Sequence, residues 1–372
     1  MKTRVLIAGA GPSGSMAAYI LAKQGFYDFI IIDRTNLPRQ KPCAGGIAPA
    51  TVRFLRQIGL ENLIAGLEPS ATMQTLRLVG PDGSDNLFSS NLKARTINRK
   101  IFDTALLGIA RESGAHFVPD FPVKDLITDG TGRVCGVTDG KRSIESEVVV
   151  MATGGHNKKM REKYFPDTRP LRRMVSRIGW WKNFDLPEGQ LEMIFDEEIR
   201  PHYGWVFPEG DGMVNIGLCV YEDVIKNKNV ADVFNGFLDK YYKERIKKAV
   251  QVGRLLSYPI NTDRSVKGIA GNGMLLCGEA GRLCSPATAE GISFALESGY
   301  LAAGSIIDAY SQGPLNEKVL YGYEKKCRKA FNLRLRSSAF FSAIVKTRLF
   351  PGLIALGSNP VIKRIVNRMI PA

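Results

Sequence analysis

Apolar residues along this chain switch between unbroken short runs and helical spacing. Residues 5–8, Val-Leu-Ile-Ala, run straight into Gly9-Ala10-Gly11-Pro12-Ser13-Gly14. A short apolar run closed by glycine predicts a buried strand. Residues 15–24 then read as a helix, and residues 29–32 as a second buried strand ending at Asp33. Residues 36–60 form a Pro- and Gly-rich loop followed by a short helix. Between 73 and 90, Leu76, Leu78 and Leu87 flank Asp82-Gly83, which predicts a hairpin. Residues 99–113 place Ile101, Phe102, Ala105, Leu106 and Ile109 on one helical face. Strands are expected at 123–128, 134–138 and 147–152, the last closing on Thr153-Gly154-Gly155.

From 170 to 220 the pattern changes. All three tryptophans fall here, with strand-like runs at 191–195, 205–207 and 213–219. They predict an antiparallel sheet that carries the substrate. A charged helix is expected near 230–250, a buried strand at 274–276, and a helix over about 291–309. Near the end, Val361, Ile362, Ile365, Val366, Met369 and Ile370 form an apolar helical stripe opposite Lys363, Arg364, Asn367 and Arg368, with Asn359-Pro360 as cap and first position.

The first strand–turn–helix–strand unit carries recognisable chemistry. Gly9, Gly11 and Gly14 have G-x-G-x-x-G spacing, and Asp33 follows Gly14 by 19 positions. Gly9 permits the tight turn, Gly11 lets backbone approach a pyrophosphate, and Gly14 lets the helix pack closely on the strand. The helix N-terminus offers N–H groups to phosphate, and Asp33 accepts from ribose hydroxyls. This predicts dinucleotide binding and leaves NAD and FAD both open.

A second motif selects FAD. Cys277-Gly278-Glu279-Ala280-Gly281 ends a strand, and Gly291-Ile292 opens a helix. An acid at the strand end can hold a ribityl chain, and the helix N-terminus favours the negative charge of a reduced flavin. The paired motifs resemble the FAD-binding plan of the para-hydroxybenzoate-hydroxylase-like superfamily, which usually has Asp where Glu279 stands. Asn98-Arg99-Lys-Ile-Phe102-Asp103-x-x-Leu106 resembles that superfamily's Arg-x-x-Phe-Asp-x-x-Leu element, which implies that Arg99 reaches toward the flavin.

Two further motifs narrow the resemblance. Lys41-Pro42-Cys43-Ala44-Gly45-Gly46-Ile47 resembles the Pro-Cys-Gly-Gly loop of geranylgeranyl reductases. Tyr203-Gly204-Trp205-Val206-Phe207-Pro208 matches their Tyr-x-Trp-x-Phe-Pro motif. The resemblance implies an FAD-dependent reductase that saturates carbon–carbon double bonds of a polyprenyl group in a lipid, chlorophyll-type or quinone substrate. Hydride would come from reduced flavin N5 and a proton from a positioned acid. It implies catalytic roles for Cys43 and Tyr203, with Cys43 either donating the proton or shaping the pocket. It implies an isoprenoid tunnel lined by Tyr203, Trp205 and Phe207. Cofactor contacts are expected from Gly9, Gly11, Pro12, Ser13, Gly14, Asp33, Arg34, Cys43, Ala44, Gly45, Gly46, Arg99, Gly278, Glu279, Gly291 and Ile292. Gly45 and Gly46 would let the loop lie against the flavin ring.

Related flavin hydroxylases usually carry Ala-Asp-Gly where this chain has Ala152-Thr153-Gly154, which disfavours an NADPH-driven hydroxylase. A flavin monooxygenase or halogenase on an aromatic substrate is the second reading, and a non-catalytic flavin-bound redox partner the third. With no second G-x-G-x-x-G, electrons are expected from an external donor, NAD(P)H or ferredoxin.

The expected fold is therefore α/β (α+β overall): a discontinuous Rossmann-like FAD-binding domain (1–72, 95–155 and 260–312), an antiparallel-sheet substrate domain (73–94 and 156–259) and a basic C-terminal helical segment (313–372). Composition adds three points. The six cysteines contain no C-x-x-C pair and the three histidines are far apart, so no metal site is expected. No leader or bilayer-spanning run is evident, which predicts a cytoplasmic protein. Of the net charge of +15, residues 321–372 hold +10, from eleven Lys/Arg and one acid. These cations alternate with Phe, Leu, Ile and Val, which points to an anionic membrane surface rather than nucleic acid. Docking of the last helix on the protein body stays open beside a peripheral location on the cytoplasmic membrane face.

Overall fold

The computed structural model describes residues 1–89, 95–156, 158–165, 173–225, 228–356 and 359–360. The predicted terminal helix over 361–370 lies outside them. The fold is mixed α/β, as expected.

The strand Lys2–Ala8 lies in the middle of a parallel sheet, between Ser143–Met151 and Phe29–Ile32. Met274–Leu276 extends that sheet beyond Ser143–Met151, and His116–Val118 extends it beyond Phe29–Ile32. Strands covered on both faces read as continuous apolar runs. Accordingly Val5, Leu6, Ile7, Ile31, Ile32 and Val148–Val150 are fully buried. The helix Pro12–Lys23 packs between the sheet and the helix Ile292–Tyr310. Residues from both ends of the chain thus share one core.

A second sheet of seven strands runs in the order Val250–Asn261, Arg173–Lys182, Met213–Tyr221, Gly204–Gly210, Gln190–Ile194, Thr75–Val79, Asp85–Ser89. The predicted hairpin at 73–90 forms its edge. All pairings are antiparallel except Gln190–Ile194 with Thr75–Val79. The strand expected at 123–128 starts at Asp125, although Lys124 N–H already bonds the Thr138 carbonyl of the neighbouring strand at 2.9 Å. The strand Val250–Asn261 was not legible from its pattern: its first half is exposed and only its last turns face the core.

A three-stranded sheet, Gly46–Ile47, Arg95–Ile97 and Ser70–Thr72, holds the loop that precedes it. The C-terminal segment is a 29-residue helix, Glu317–Val345, followed by Leu349–Leu356. Phe350 and Ile354 of the short helix pack with Phe195, Tyr203 and Trp205 of the second sheet. No single helix among the described residues is long and apolar enough to cross a membrane.

Candidate active site

One cavity of about 760 Å³ lies between the two large sheets. Its first lobe is built by the Pro12–Lys23 helix. No side chain caps that helix, and Gly11, Pro12 and Ser13 at its start line the cavity. Uncapped N–H groups and the helix dipole make an anion site there. Gly9 adopts φ +114°, and a Cβ on it would lie 2.4 Å from the Ala152 carbonyl oxygen. A Cβ on Gly11 would meet nothing closer than Arg39 at 4.0 Å, so this backbone is open to a ligand. Asp33 is buried at the end of the second strand, where one oxygen accepts from Ala10 N–H at 2.8 Å and Arg39 at 3.1 Å. Arg34 lines the cavity beside it.

Gly14 does not reach the cavity surface. A Cβ there would sit 1.8 Å from the Gly9 carbonyl oxygen, so it serves helix–strand packing. Gly278 is also behind the wall, with φ +57° and its N–H bonded to Ser298 Oγ at 2.9 Å. Gly45 is a third such case. A Cβ on it would lie 2.5 Å from the Ile97 carbonyl oxygen, so the loop needs glycine there to press on the small sheet rather than on a ring. Gly46 does line the cavity, next to Phe207.

The loop carrying Cys43 and Ala44 lies between the two lobes. Cys43 is half-buried, its sulfur accepts from Gly45 N–H at 3.5 Å, and the Arg99 guanidinium lies close enough to interact with it. Arg99 is buried and forms a bidentate pair with Asp103 at 2.7 and 2.9 Å. It lines the cavity, with two of its five N–H donors committed to Asp103. The Lys41 ammonium lies over the Tyr258 ring at 5.3 Å. Burial lowers its pKa, Arg99 adds to that, and Glu279 opposes it.

Glu279 follows the Met274–Leu276 strand and faces the same lobe. Its Oε1 accepts from Asn261 N–H at 3.1 Å, and Tyr258 hydrogen-bonds its carboxyl. Burial raises its pKa, and Lys41 partly offsets this. Gly291 and Ile292 complete the lobe at the start of the Ile292–Tyr310 helix, although Glu290 already caps Ser293 N–H at 2.8 Å.

The second lobe is apolar. Trp205 and Phe207 line it with Met73, Ile178, Met193 and Ile260. Tyr203 joins them, but its hydroxyl donates to the Thr288 carbonyl at 2.7 Å. The phenol proton is therefore committed to the 285–291 turn, and burial lifts its pKa well above the ordinary value. This geometry places the Tyr203 ring on the cavity wall and its hydroxyl on the turn. Sequence reasoning also missed two thiols on the cavity wall, Cys219 and Cys284. Burial pushes the Cys219 thiol up to about 12. The strand alternation around Cys219 was the available signal, whereas Tyr258 and Met73 had none.

FAD fits these residues. The uncapped helix end and open Gly11 suit a pyrophosphate, and Asp33 and Glu279 both line the one continuous cavity. Residues 2–171 match the FAD binding domain family, and residues 180–255 match the geranylgeranyl reductase catalytic domain. The chain is an FAD-dependent oxidoreductase of the geranylgeranyl reductase type. Among its relatives is the digeranylgeranylglycerophospholipid reductase of Methanocella arvoryzae, 28% identical over 89% of this chain and 84% of the relative. The menaquinone reductase of Mycolicibacterium smegmatis is 29% identical over 90% of this chain and 85% of that protein. A geranylgeranyl bacteriochlorophyll reductase-like protein of Thermoplasma acidophilum shares the fold, with TM-score 0.78, 20% identity and coverage of 100% and 99% of the two chains. A flavin-dependent brominase shares it equally, with TM-score 0.78 and 21% identity over 100% of this chain and 93% of the other. Fold alone does not separate these chemistries; the catalytic-domain match does.

Proposed function

We propose that this reductase saturates double bonds in the polyprenyl part of a lipid, chlorophyll-type or quinone substrate. The observation that carries the reading is the apolar lobe, which opens directly into the dinucleotide lobe at the Cys43 loop. An isolated trisubstituted double bond offers no polar handle, so its site must be apolar and dry, with one acid placed beside it. Bound FAD, once reduced, supplies the hydride. We assign the proton to Cys43, which lines the cavity and whose sulfur accepts from Gly45 N–H at 3.5 Å. Trp205, Phe207, Met73 and Met193 hold the isoprenoid and exclude water.

The proposal extends to location and partners. Phe340, Phe341, Leu349, Leu353 and Leu356 are exposed around the C-terminal corner, with Arg336 and Arg348 exposed among them. An apolar patch ringed by cations suits an anionic membrane surface on the cytoplasmic side. Electrons reach the flavin from an external donor, NAD(P)H or ferredoxin.

Anaerobic reduction of the holoenzyme followed by a geranylgeranyl lipid tests the chemistry. Flavin reoxidation with a gain of two hydrogens per reduced bond is expected. Reoxidation only by oxygen, with oxygen or halogen in the product, overturns it. Cys43→Ala should keep FAD and lose at least about 100-fold in turnover, the scale of a lost general acid.

A further inference from the structure

Behind the cavity wall lies a polar cluster that the chemistry above does not use. Glu209 directly follows Pro208 of the aromatic motif and is 4% exposed. Its Oε1 accepts from Trp180 Nε1 at 3.1 Å and from Asn215 Nδ2 at 3.2 Å. Its Oε2 accepts from Asn98 Nδ2 at 2.8 Å. Burial raises the pKa of this carboxyl, while the three donors oppose the rise. Three N–H donors suit an ionised carboxylate, which can only accept.

Asn215 is fully buried, and its orientation is fixed by its partners. Trp205 Nε1 donates to Asn215 Oδ1 at 2.8 Å, so the amide nitrogen must face the other way. There it donates to Glu209 and to the Cys43 carbonyl, both at 3.2 Å. Asn98 forms the other arm. Its Oδ1 caps the helix Arg99–Glu112 by accepting from Lys100 N–H at 2.9 Å, and Arg99 of that helix reaches the Cys43 sulfur. Glu209 is thus tied to Cys43 from two sides: through Asn215 to its backbone, and through Asn98 to the helix that carries its side-chain partner. The same carboxylate joins three strands of the substrate sheet to the cofactor-side loop.

We propose that Glu209 is a positioning residue of this enzyme. Acting through Asn215 and Asn98, it holds the Cys43 loop at a fixed height against the Trp205 wall. A buried network of this kind has one low-energy arrangement, because every altered orientation leaves a donor or acceptor unpaired. That rigidity suits a proton donor that must meet one carbon of a bound alkene. The proposal rests on the reductase reading for its kinetic arm only.

The test uses full-length holoenzyme carrying Glu209→Leu, Asn215→Leu, both together, or Glu209→Gln. Two readouts are followed: iodoacetamide alkylation of Cys43, mapped by mass spectrometry, and anaerobic flavin reoxidation by a geranylgeranyl lipid. Each leucine variant should lower kcat at least about tenfold with KM changed less than about threefold. Each should also change the Cys43 alkylation rate at least about fivefold, and the double variant should be no worse than the worse single one, as expected of one coupled unit. Glu209→Gln keeps an acceptor for Trp180 and Asn215 but turns a donor toward Asn98, so its kcat should lie between those of the parent and the leucine variants. Leucine variants that fold and keep parental kcat and Cys43 alkylation overturn the proposal. If they do not fold, Asn215→Asp decides, since it keeps the shape and sets two carboxylates face to face; parental alkylation there also overturns it. Alkylation needs no substrate, so an unreactive lipid would refute the reductase reading without touching this result.

Discussion

Tyr203 and Glu279 illustrate how much a single hydrogen bond decides. The Tyr203 hydroxyl donates to the Thr288 carbonyl at 2.7 Å, inside the turn that leads to Gly291. Tyr203→Phe leaves that carbonyl unpaired and should cost about 1–2 kcal/mol by denaturant unfolding. Turnover should fall less than about tenfold, whereas loss of a true proton donor costs at least about a hundredfold. Glu279 gives a pH prediction. Its folded-state pKa is raised, chiefly by burial, so the folded protein holds this proton more tightly than the unfolded chain. Stability from that proton is present below the ordinary carboxylate pKa and is lost as pH rises through the raised value. Glu279→Gln in the FAD-free protein should therefore flatten the fall in melting temperature across that interval. An unchanged slope would show that Glu279 is not the group responsible.

At the scale of elements, two helices meet where the dinucleotide would bind. A Cβ on Gly299 of the Ile292–Tyr310 helix would lie 2.1 Å from the Ser13 carbonyl oxygen. Ser13 is in the first turn of the Pro12–Lys23 helix and lines the cavity. Gly299→Val must therefore push the two helices apart, which costs about 1–3 kcal/mol as overpacking. The displaced helix start should weaken FAD at least about tenfold, read by flavin fluorescence titration. Retained affinity would mean that the helix crossing does not set the phosphate site. The sequence pattern announced both helices but gave no hint that Gly299 is their contact point.

For the whole molecule, the question is how a water-insoluble substrate reaches an interior cavity. The short helix Leu349–Leu356 is apolar on both sides. Phe350 and Ile354 pack against the cavity wall, with Phe350 and Phe195 ring centroids 4.8 Å apart. Leu349, Leu353 and Leu356 face outward. A helix apolar all round is ordinarily covered, and here one side is not. Leu349→Glu with Leu353→Glu should reduce sedimentation with anionic vesicles at least about fivefold while FAD binding is kept. Binding of the parent should also weaken with salt, because exposed charges are screened over about 10 Å at 0.1 M. Vesicle binding unaffected by either change would assign the corner to another surface.

The sequence by itself determined the features that contiguous residues encode. The Gly9–Gly14 turn, Asp33, the Cys43 loop and the Tyr203–Pro208 motif each impose their constraint within a few positions, through positive φ, close approach or strand alternation. FAD followed from pairing the first turn with the Glu279–Gly291 motif, and the isoprenoid from the resemblance of the Cys43 and Tyr203 motifs to geranylgeranyl reductases. Tertiary structure decided which of those residues face the cavity and which support it. Gly9 is forced by Ala152, Tyr203 is engaged by Thr288, and Asn215 binds the Cys43 carbonyl, with 172 positions between the last two. Such pairings depend on how two sheets are brought together, and no local pattern carries that information. Glu209 shows the same division: as a residue after Pro208 it reads as a polar strand end, and only its burial among three donors makes it part of the site.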